Sequence, residues 1–109
     1  MSIQLPAAID LYLKAENSGD VEVLAECFVP EATVRDEGRL HKGLAAIGRW
    51  RAETRKKYRH TVEPLEIAVR GAKTTVAVRL TGTFPGSPIT LHFDFVLEEG
   101  KIVSLEIRP

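Results

Sequence analysis

KTTVAVRLTGTFPGSPITLHFDFVLEEGKIVSLEIR, residues 73–108, alternates apolar and polar side chains, with its main breaks at Pro85-Gly86-Ser87-Pro88 and Glu99-Gly100. A repeat of two is the signature of extended backbone, in which successive side chains point to opposite faces of a sheet. TVEPLEIAVR, residues 61–70, has the same character and is set off from residue 73 by Gly71-Ala72. Short polar breaks between such runs predict hairpins, so residues 61–108 read as four long strands in an antiparallel meander. Pro64 within the first of them predicts an edge position or a bulge, because proline cannot donate to a strand ladder.

Upstream of residue 61 the period changes. Leu5, Ile9, Tyr12 and Leu13 fall at helical spacing over Leu5–Asn17, with Pro6 near the start, where its missing N–H does no harm. NSGD stops that helix. Asp20 can cap a second one carrying Val21, Leu24, Ala25 and Phe28 before Pro30 ends it. A short β-prone run, Ala32-Thr33-Val34, leads to Asp36 and a turn at Glu37-Gly38. Gly43 then precedes a third helical pattern through Leu44, Ile47, Trp50 or Arg51, Thr54 and Tyr58. Helices first and strands afterwards predict an α+β domain spanning residues 1–109, with three helices packed on a curved antiparallel sheet.

Composition narrows the function classes. The 109 residues carry 15 basic and 15 acidic side chains, so no net charge draws the chain to nucleic acid or to an anionic membrane. No apolar run is long enough to cross a bilayer and no signal-peptide pattern opens the chain, which predicts a cytoplasmic protein. Cys27 lies among Leu24, Ala25 and Phe28, where it reads as a small buried apolar residue rather than a nucleophile. No three or four metal ligands converge in the pattern, so neither metal nor cofactor is expected. Arg49, Arg51, Arg55, Lys56, Lys57 and Arg59 read mostly as the solvated side of the third helix, with Glu53 and Lys57 at pairing distance.

On the strand ITLHFDFVL, Leu91, Phe93, Phe95 and Leu97 share one face, and His92, Asp94 and Val96 share the other. Which of those faces the helices cover is open at this level. Asp36 is either a turn residue or a pocket acid, the second requiring partial desolvation by Phe28, Ile47 and Trp50.

The order of elements, "GD" between two helices, "F-x-x-x-A-T-V-x-D" at residues 28–36 and "EGKI" at residues 99–102 resemble the NTF2-like superfamily, in its SnoaL-like and ketosteroid-isomerase-like branch. The resemblance implies a cone-shaped fold around one largely apolar pocket, with a homodimer formed through the exposed sheet face. It places Tyr12 on the first helix facing the pocket and Asp36 at the general-base position. A further polar group falls on His92 or on Asp94, two residues apart and on the same strand face. Phe28, Val34, Ile47, Trp50, Tyr58 and His60 would line the pocket, His60 being readable as a surface residue as well. Two departures accompany the match: Glu37 follows the base where the isomerase has proline, and Arg51 falls near its supporting tyrosine. The function implied is cofactor-independent proton transfer, of isomerase or cyclase type, on a small hydrophobic carbonyl compound. The alternatives are a non-catalytic ligand-binding or assembly domain and, more distantly, hydrolase or dehydratase chemistry in a wetter pocket.

Overall fold

A computed structural model describes residues 3–109. The first helix, α1 (Ala7–Ser18), begins directly after Pro6 and turns Ala8, Ile9, Tyr12, Leu13 and Ala15 inward. It ends at Gly19, whose φ of 79° is the left-handed conformation that closes helices, its N–H reaching the Ala15 carbonyl at 2.8 Å. Glycine is needed there for a second reason. A Cβ would sit 2.6 Å from Arg55 Nε, and Arg55 Nη1 donates to the carbonyls of Glu16 (2.7 Å) and Asn17 (2.9 Å). A side chain from the third helix thus satisfies carbonyls that the first helix leaves open.

The expected second helix is only a turn, α2 (Leu24–Cys27). Asp20 Oδ1 accepts from the Glu22 N–H at 2.9 Å, a local turn rather than a helix cap, and Val21 remains exposed. The reason lies in Pro30, which disfavours helical backbone at Val29 and so forces the chain into β1 (Phe28–Asp36). Phe28, Ala32 and Val34 still reach the core, but from a strand. The hairpin partner β2 (Arg39–Lys42) follows, and then α3 (Leu44–Tyr58), which buries Ile47, Trp50 and Arg51.

The meander is β3 (Thr61–Arg70), β4 (Lys73–Thr81), β5 (Ile89–Glu98) and β6 (Lys101–Arg108), its pairing broken between Pro64 and Glu66 by the bulge that proline favours. The sheet runs β2-β1-β6-β5-β4-β3. All neighbours are antiparallel except β1 and β6, where Val34 lies beside Leu105 in a parallel pair absent from the sequence reading. That pair brings Asp36 level with the end of β6.

Strand parity settles which face is covered. Val76, Phe93 and Ile107 lie opposite one another on β4, β5 and β6, as do Thr74, Phe95 and Leu105. Phe93, Phe95, Leu105, Ile102, Val76 and Val78 join the core, and Tyr12 packs edge-on against Phe28 and Phe95, with centroids 5.5 and 5.9 Å apart. The other face carries Thr75, Asp94 and Glu106 in one row and Ala77, His92 and Arg108 in the next. The side chains in these two rows are polar, charged or small, so the exposed sheet face through which a homodimer was expected is not an apolar one. Among the described residues no helix is long and apolar enough to cross a membrane.

Two glycines test this packing in opposite directions. A Cβ at Gly82 would lie 2.6 Å from the Tyr58 carbonyl oxygen and 3.2 Å from His60 Cα, both backbone atoms, whereas one at Gly48 on α3 meets nothing within 4 Å. Urea unfolding of Gly82→Ala should show a loss of about 1–3 kcal/mol. Gly48→Ala should gain about 0.5–1 kcal/mol, since alanine is the better helix former.

Candidate functional site

Between α3, the β1–β2 turn and the covered face of the sheet lies a cavity of about 440 Å³. Leu80, Ile89, Leu91, Phe93 and Ile107 floor it from the strands, with Phe84 from the β4–β5 connection. α3 contributes Trp50, Arg51, Thr54 and Tyr58 at helical spacing, so one stripe of a single helix forms a wall. An apolar chamber with a few polar groups is the usual form of a small-molecule site.

Asp36 enters at the end of β1, half-buried. Its Oδ2 accepts the Trp50 indole N–H at 3.0 Å. Glu37, in left-handed backbone (φ 52°), turns to the rim, where its Oε1 accepts the Tyr58 hydroxyl proton at 2.5 Å.

Deeper in the wall is an ionic cluster. Arg51 is 2% exposed. One terminal nitrogen, Nη1, donates to Tyr12 Oη (3.0 Å) and pairs with Glu16 Oε1 (3.4 Å). The other, Nη2, donates to Thr54 Oγ1 (2.7 Å) and lies 3.0 Å from His60 Nε2. His60 Nε2 is in turn 2.8 Å from Glu16 Oε1. A carboxylate can only accept, so the shorter contact assigns the Nε2 proton of His60 to Glu16. The Arg51 guanidinium carbon also lies 4.5 Å from the Trp50 ring centroid. Indole therefore touches the cation with its face and the Asp36 carboxylate with its edge.

The expected site residues divide into three groups. Asp36, Trp50, Tyr58 and His60 line the cavity, and His60 is buried rather than on the surface. Tyr12, Phe28, Val34 and Ile47 are fully buried behind the wall, Tyr12 spending its hydroxyl on Arg51 instead of presenting it to the chamber. His92 and Asp94 lie on the opposite face of the sheet, which corrects their expected place. Because Phe93 points inward, both of its neighbours must point outward, and the two alternatives fail together. Asp94 is occupied there by Arg108 Nε (2.7 Å) and Thr75 Oγ1 (2.6 Å).

Glu16, Arg51 and Thr54 were not singled out as site residues. The traces they leave are slight: Glu16 extends the inward stripe of Ile9, Tyr12 and Leu13 by one step, and Arg51 shares an inward position with Trp50. The basic face of α3 is correspondingly smaller than expected, since Arg51 is buried and Arg55 caps α1. Lys57 lies 4.9 Å from the Tyr58 ring centroid, and it makes no ion pair with Glu53 among the described residues.

A model of the SnoaL-like domain matches residues 9–105. The chain belongs to the SnoaL-like domain family. A Sinorhizobium meliloti protein proposed to be a polyketide cyclase is 41% identical to this SnoaL-like domain, with 95% of each chain covered and a TM-score of 0.92. SalBIII, an epoxide hydrolase/cyclase-like enzyme with a role in pyran ring formation in the polyether salinomycin, is 26% identical over 94% of this chain and 87% of its own, at a TM-score of 0.78. An NTF2-like protein from Cytophaga hutchinsonii, 15% identical over 98% of this chain and 92% of its own (TM-score 0.75), shares the fold. No curated protein matches the sequence.

Two of the carboxylates at the cavity of this SnoaL-like domain, Asp36 and Glu16, are tuned apart. Burial raises the pKa of Asp36 above the ordinary aspartate range; the Trp50 hydrogen bond opposes the rise, Glu37 and Glu16 add to it, and Arg51 counters. Burial would also raise Glu16, but the Arg51 charge, together with the hydrogen bond and charge of His60, outweighs it and holds the carboxyl below the ordinary glutamate range. Burial keeps the Tyr12 hydroxyl well above its usual value and therefore neutral.

Opposite shifts make opposite pH dependences. A lowered Glu16 stabilises the fold above its unfolded-state pKa, and that contribution disappears as pH falls through the folded value. A raised Asp36 favours the protonated fold, so its contribution is present below its unfolded-state pKa and disappears as pH rises through the folded value. In urea unfolding between about pH 3 and 8, Glu16→Gln should flatten the acid-side loss of stability, and Asp36→Asn should remove the loss on the way up. Arg51→Met leaves Glu16 buried without its cation and should lose about 3–5 kcal/mol at neutral pH.

Proposed function

We propose that this SnoaL-like domain binds a small, largely apolar carbonyl compound and moves a proton on it without a cofactor, in the manner of an isomerase or cyclase. The observation that carries this reading is the state of Asp36. It is a half-buried carboxylate at an apolar cavity, with one hydrogen-bond partner and a pKa raised toward the working pH. A base is most effective when its pKa approaches the pH at which it works. The polyketide-cyclase and epoxide hydrolase/cyclase descriptions of the two relatives support the same class of chemistry.

In this mechanism a carboxylate oxygen of Asp36 takes a proton from the carbon beside the substrate carbonyl. The electron pair of that C–H bond moves into the new C=C bond, and the carbonyl π pair moves onto oxygen. Negative charge passes from Asp36 to the substrate oxygen while the buried Arg51 charge stays fixed nearby, so the environment need not reorganise as the charge moves. Return of the proton to a different carbon isomerises the compound, whereas attack of the enolate carbon on a second carbonyl within the molecule closes a ring, the π pair of that carbonyl moving onto its oxygen and Asp36 returning the proton to the alkoxide so formed. Trp50 aims the carboxylate through its indole N–H. Tyr12, assigned to the enolate from the resemblance, serves instead to hold Arg51. Pairing of two copies through the outer sheet face belongs to the same reading, with polar rather than apolar contacts.

Exchange of the acidic protons of a bound ketone into deuterated water, followed by NMR, tests the mechanism. Asp36→Asn should slow exchange by about 10²–10⁴-fold while affinity stays within a few-fold. His92→Ala, outside the cavity, should exchange at the wild-type rate. Undiminished exchange in Asp36→Asn would leave a binding pocket without this chemistry.

A further inference from the structure

The outer face of the sheet carries a cleft of about 290 Å³, lined by Ala68, Arg70, Lys73, Thr75 and Arg108. Strand register explains the grouping. Arg70 lies beside Lys73, Ala68 beside Thr75 and Thr75 beside Asp94, in two adjacent rows of one face, and Arg108 stands in the row after. Asp94 lies against these side chains and is 5% exposed. Its Oδ2 accepts from Arg108 Nε at 2.7 Å and is 3.9 Å from Lys73 Nζ, so two cations converge on one carboxylate oxygen. Its Oδ1 accepts from Thr75 Oγ1 at 2.6 Å and from Arg108 Nη2 at 3.4 Å.

One cation is enough to neutralise Asp94, and Arg108 does so at hydrogen-bond distance. Lys73 stands beyond hydrogen-bond reach of it, and Arg70 makes no ion pair among the described residues. Arg108 Nη1 has no partner there either. Three cations against one carboxylate leave two positive charges over, in a chain whose acidic and basic side chains balance. Glu66 and Glu106, carboxylates on adjoining positions of this face, are not among the lining residues. The excess charge therefore comes from placement, and its N–H groups are open to an outside acceptor. A neutral group would leave both charges unanswered, and a carboxylate would answer one. A phosphate group brings close to two negative charges and three acceptor oxygens, the geometry that a guanidinium fork fits. No aromatic ring lines the cleft for a base to stack on, which removes single-stranded nucleic acid.

We infer that Arg70, Lys73 and Arg108 form a second binding site, on the face of the sheet turned away from the chamber, and that it takes a phosphate group. Arg70 and Lys73 contact the ligand together with the free end of Arg108. Asp94 and Thr75 are positioning residues, Asp94 holding Arg108 by Nε and Nη2 and Thr75 holding Asp94. The site rests neither on the ligand of the chamber nor on proton transfer at Asp36. Its ligand is phosphate itself or a small phosphorylated compound, which offer the same group.

Isothermal titration at constant ionic strength and about pH 8, where phosphate is mostly doubly charged, tests the site. Inorganic phosphate should bind the wild-type chain saturably, one ion per chain, while potassium chloride gives no saturable heat. Arg70→Met and Lys73→Met should each weaken phosphate about 10-fold or more, the loss of a hydrogen bond to a charged group. Arg79→Met removes an equal charge from the same face outside the cleft and should stay within about 2-fold of wild type. Ala68→Leu keeps every charge but puts a larger side chain into the cleft, and should weaken phosphate as much as Lys73→Met does. All four positions are exposed, so the fold should tolerate the changes. Phenyl phosphate separates the two sources: tighter binding than inorganic phosphate assigns a phosphorylated compound, equal or weaker binding the free ion, and either supports the site. Absence of saturable phosphate binding would overturn the inference. So would equal weakening in Arg79→Met and Lys73→Met, or undiminished binding in Ala68→Leu, since both would mean diffuse attraction to the face rather than a site.

Discussion

A guanidinium sealed inside a protein of 109 residues is a demand on everything around it, and Arg51 is that demand here. Taking its charge out of water is tolerable only with a counter-charge in contact and the remaining N–H groups engaged. Glu16 supplies the charge from α1, Tyr12 a hydroxyl from the same helix, Thr54 another from α3, and His60 closes the group at the entry to β3. The first helix is thereby fixed by short polar contacts to α3 and the entry of β3, consecutive elements far from it in sequence. Apolar packing would hold them together as well, but with less insistence on one relative position, because it has no direction.

Fixing α3 in this way settles the cavity. With Arg51 turned into the wall, Trp50 is pinned beside it, its face against the cation and its edge toward β1. The indole N–H then determines where the Asp36 carboxylate rests. A chain of contacts runs from the deep ion pair to the acid at the opening, and each link constrains the next. Such a cluster is poor evidence of stability, because a well-packed apolar set of equal volume often does as well or better. Its value is in specifying one arrangement and in keeping polar atoms at the wall of an otherwise greasy chamber.

How much of this was legible follows from the kind of signal each part leaves. The meander was plain because a repeat of two persists through four runs, and Pro64 announced its bulge. α2 is shorter than its spacing suggested: Val21, Leu24, Ala25 and Phe28 do fall at helical intervals, but Pro30 disfavours helical backbone one residue before itself. Asp36 could be placed at the cavity because its strand has a recognisable pattern and partner elements. His92 and Asp94 were misplaced by a single question of parity that hydrophobicity alone could not decide, since the face of a strand beneath a pocket and the face in solvent both accept polar residues. Arg51 was hidden by its setting in a run of basic residues along and just after one helix. Only its distance from Glu16, 35 positions earlier in the chain, reveals that one of them is buried.

Glu16 and Asp36 show how one chamber gives the same functional group two states. Both are withdrawn from water, which penalises charge in each. Glu16 touches a guanidinium and an imidazole, so attraction at contact distance exceeds the penalty and it stays ionised, fixed and unavailable for proton exchange. Asp36 has an indole N–H at hydrogen-bond distance, while the same guanidinium, already neutralised by Glu16, pulls on it only weakly. The penalty wins there, and the proton affinity rises. Glu16 therefore does more than balance a charge. Its own charge adds to the rise at Asp36, which the Arg51 charge counters. In the proposed mechanism the two acids therefore divide the work, one holding a charge in place and the other taking up a proton.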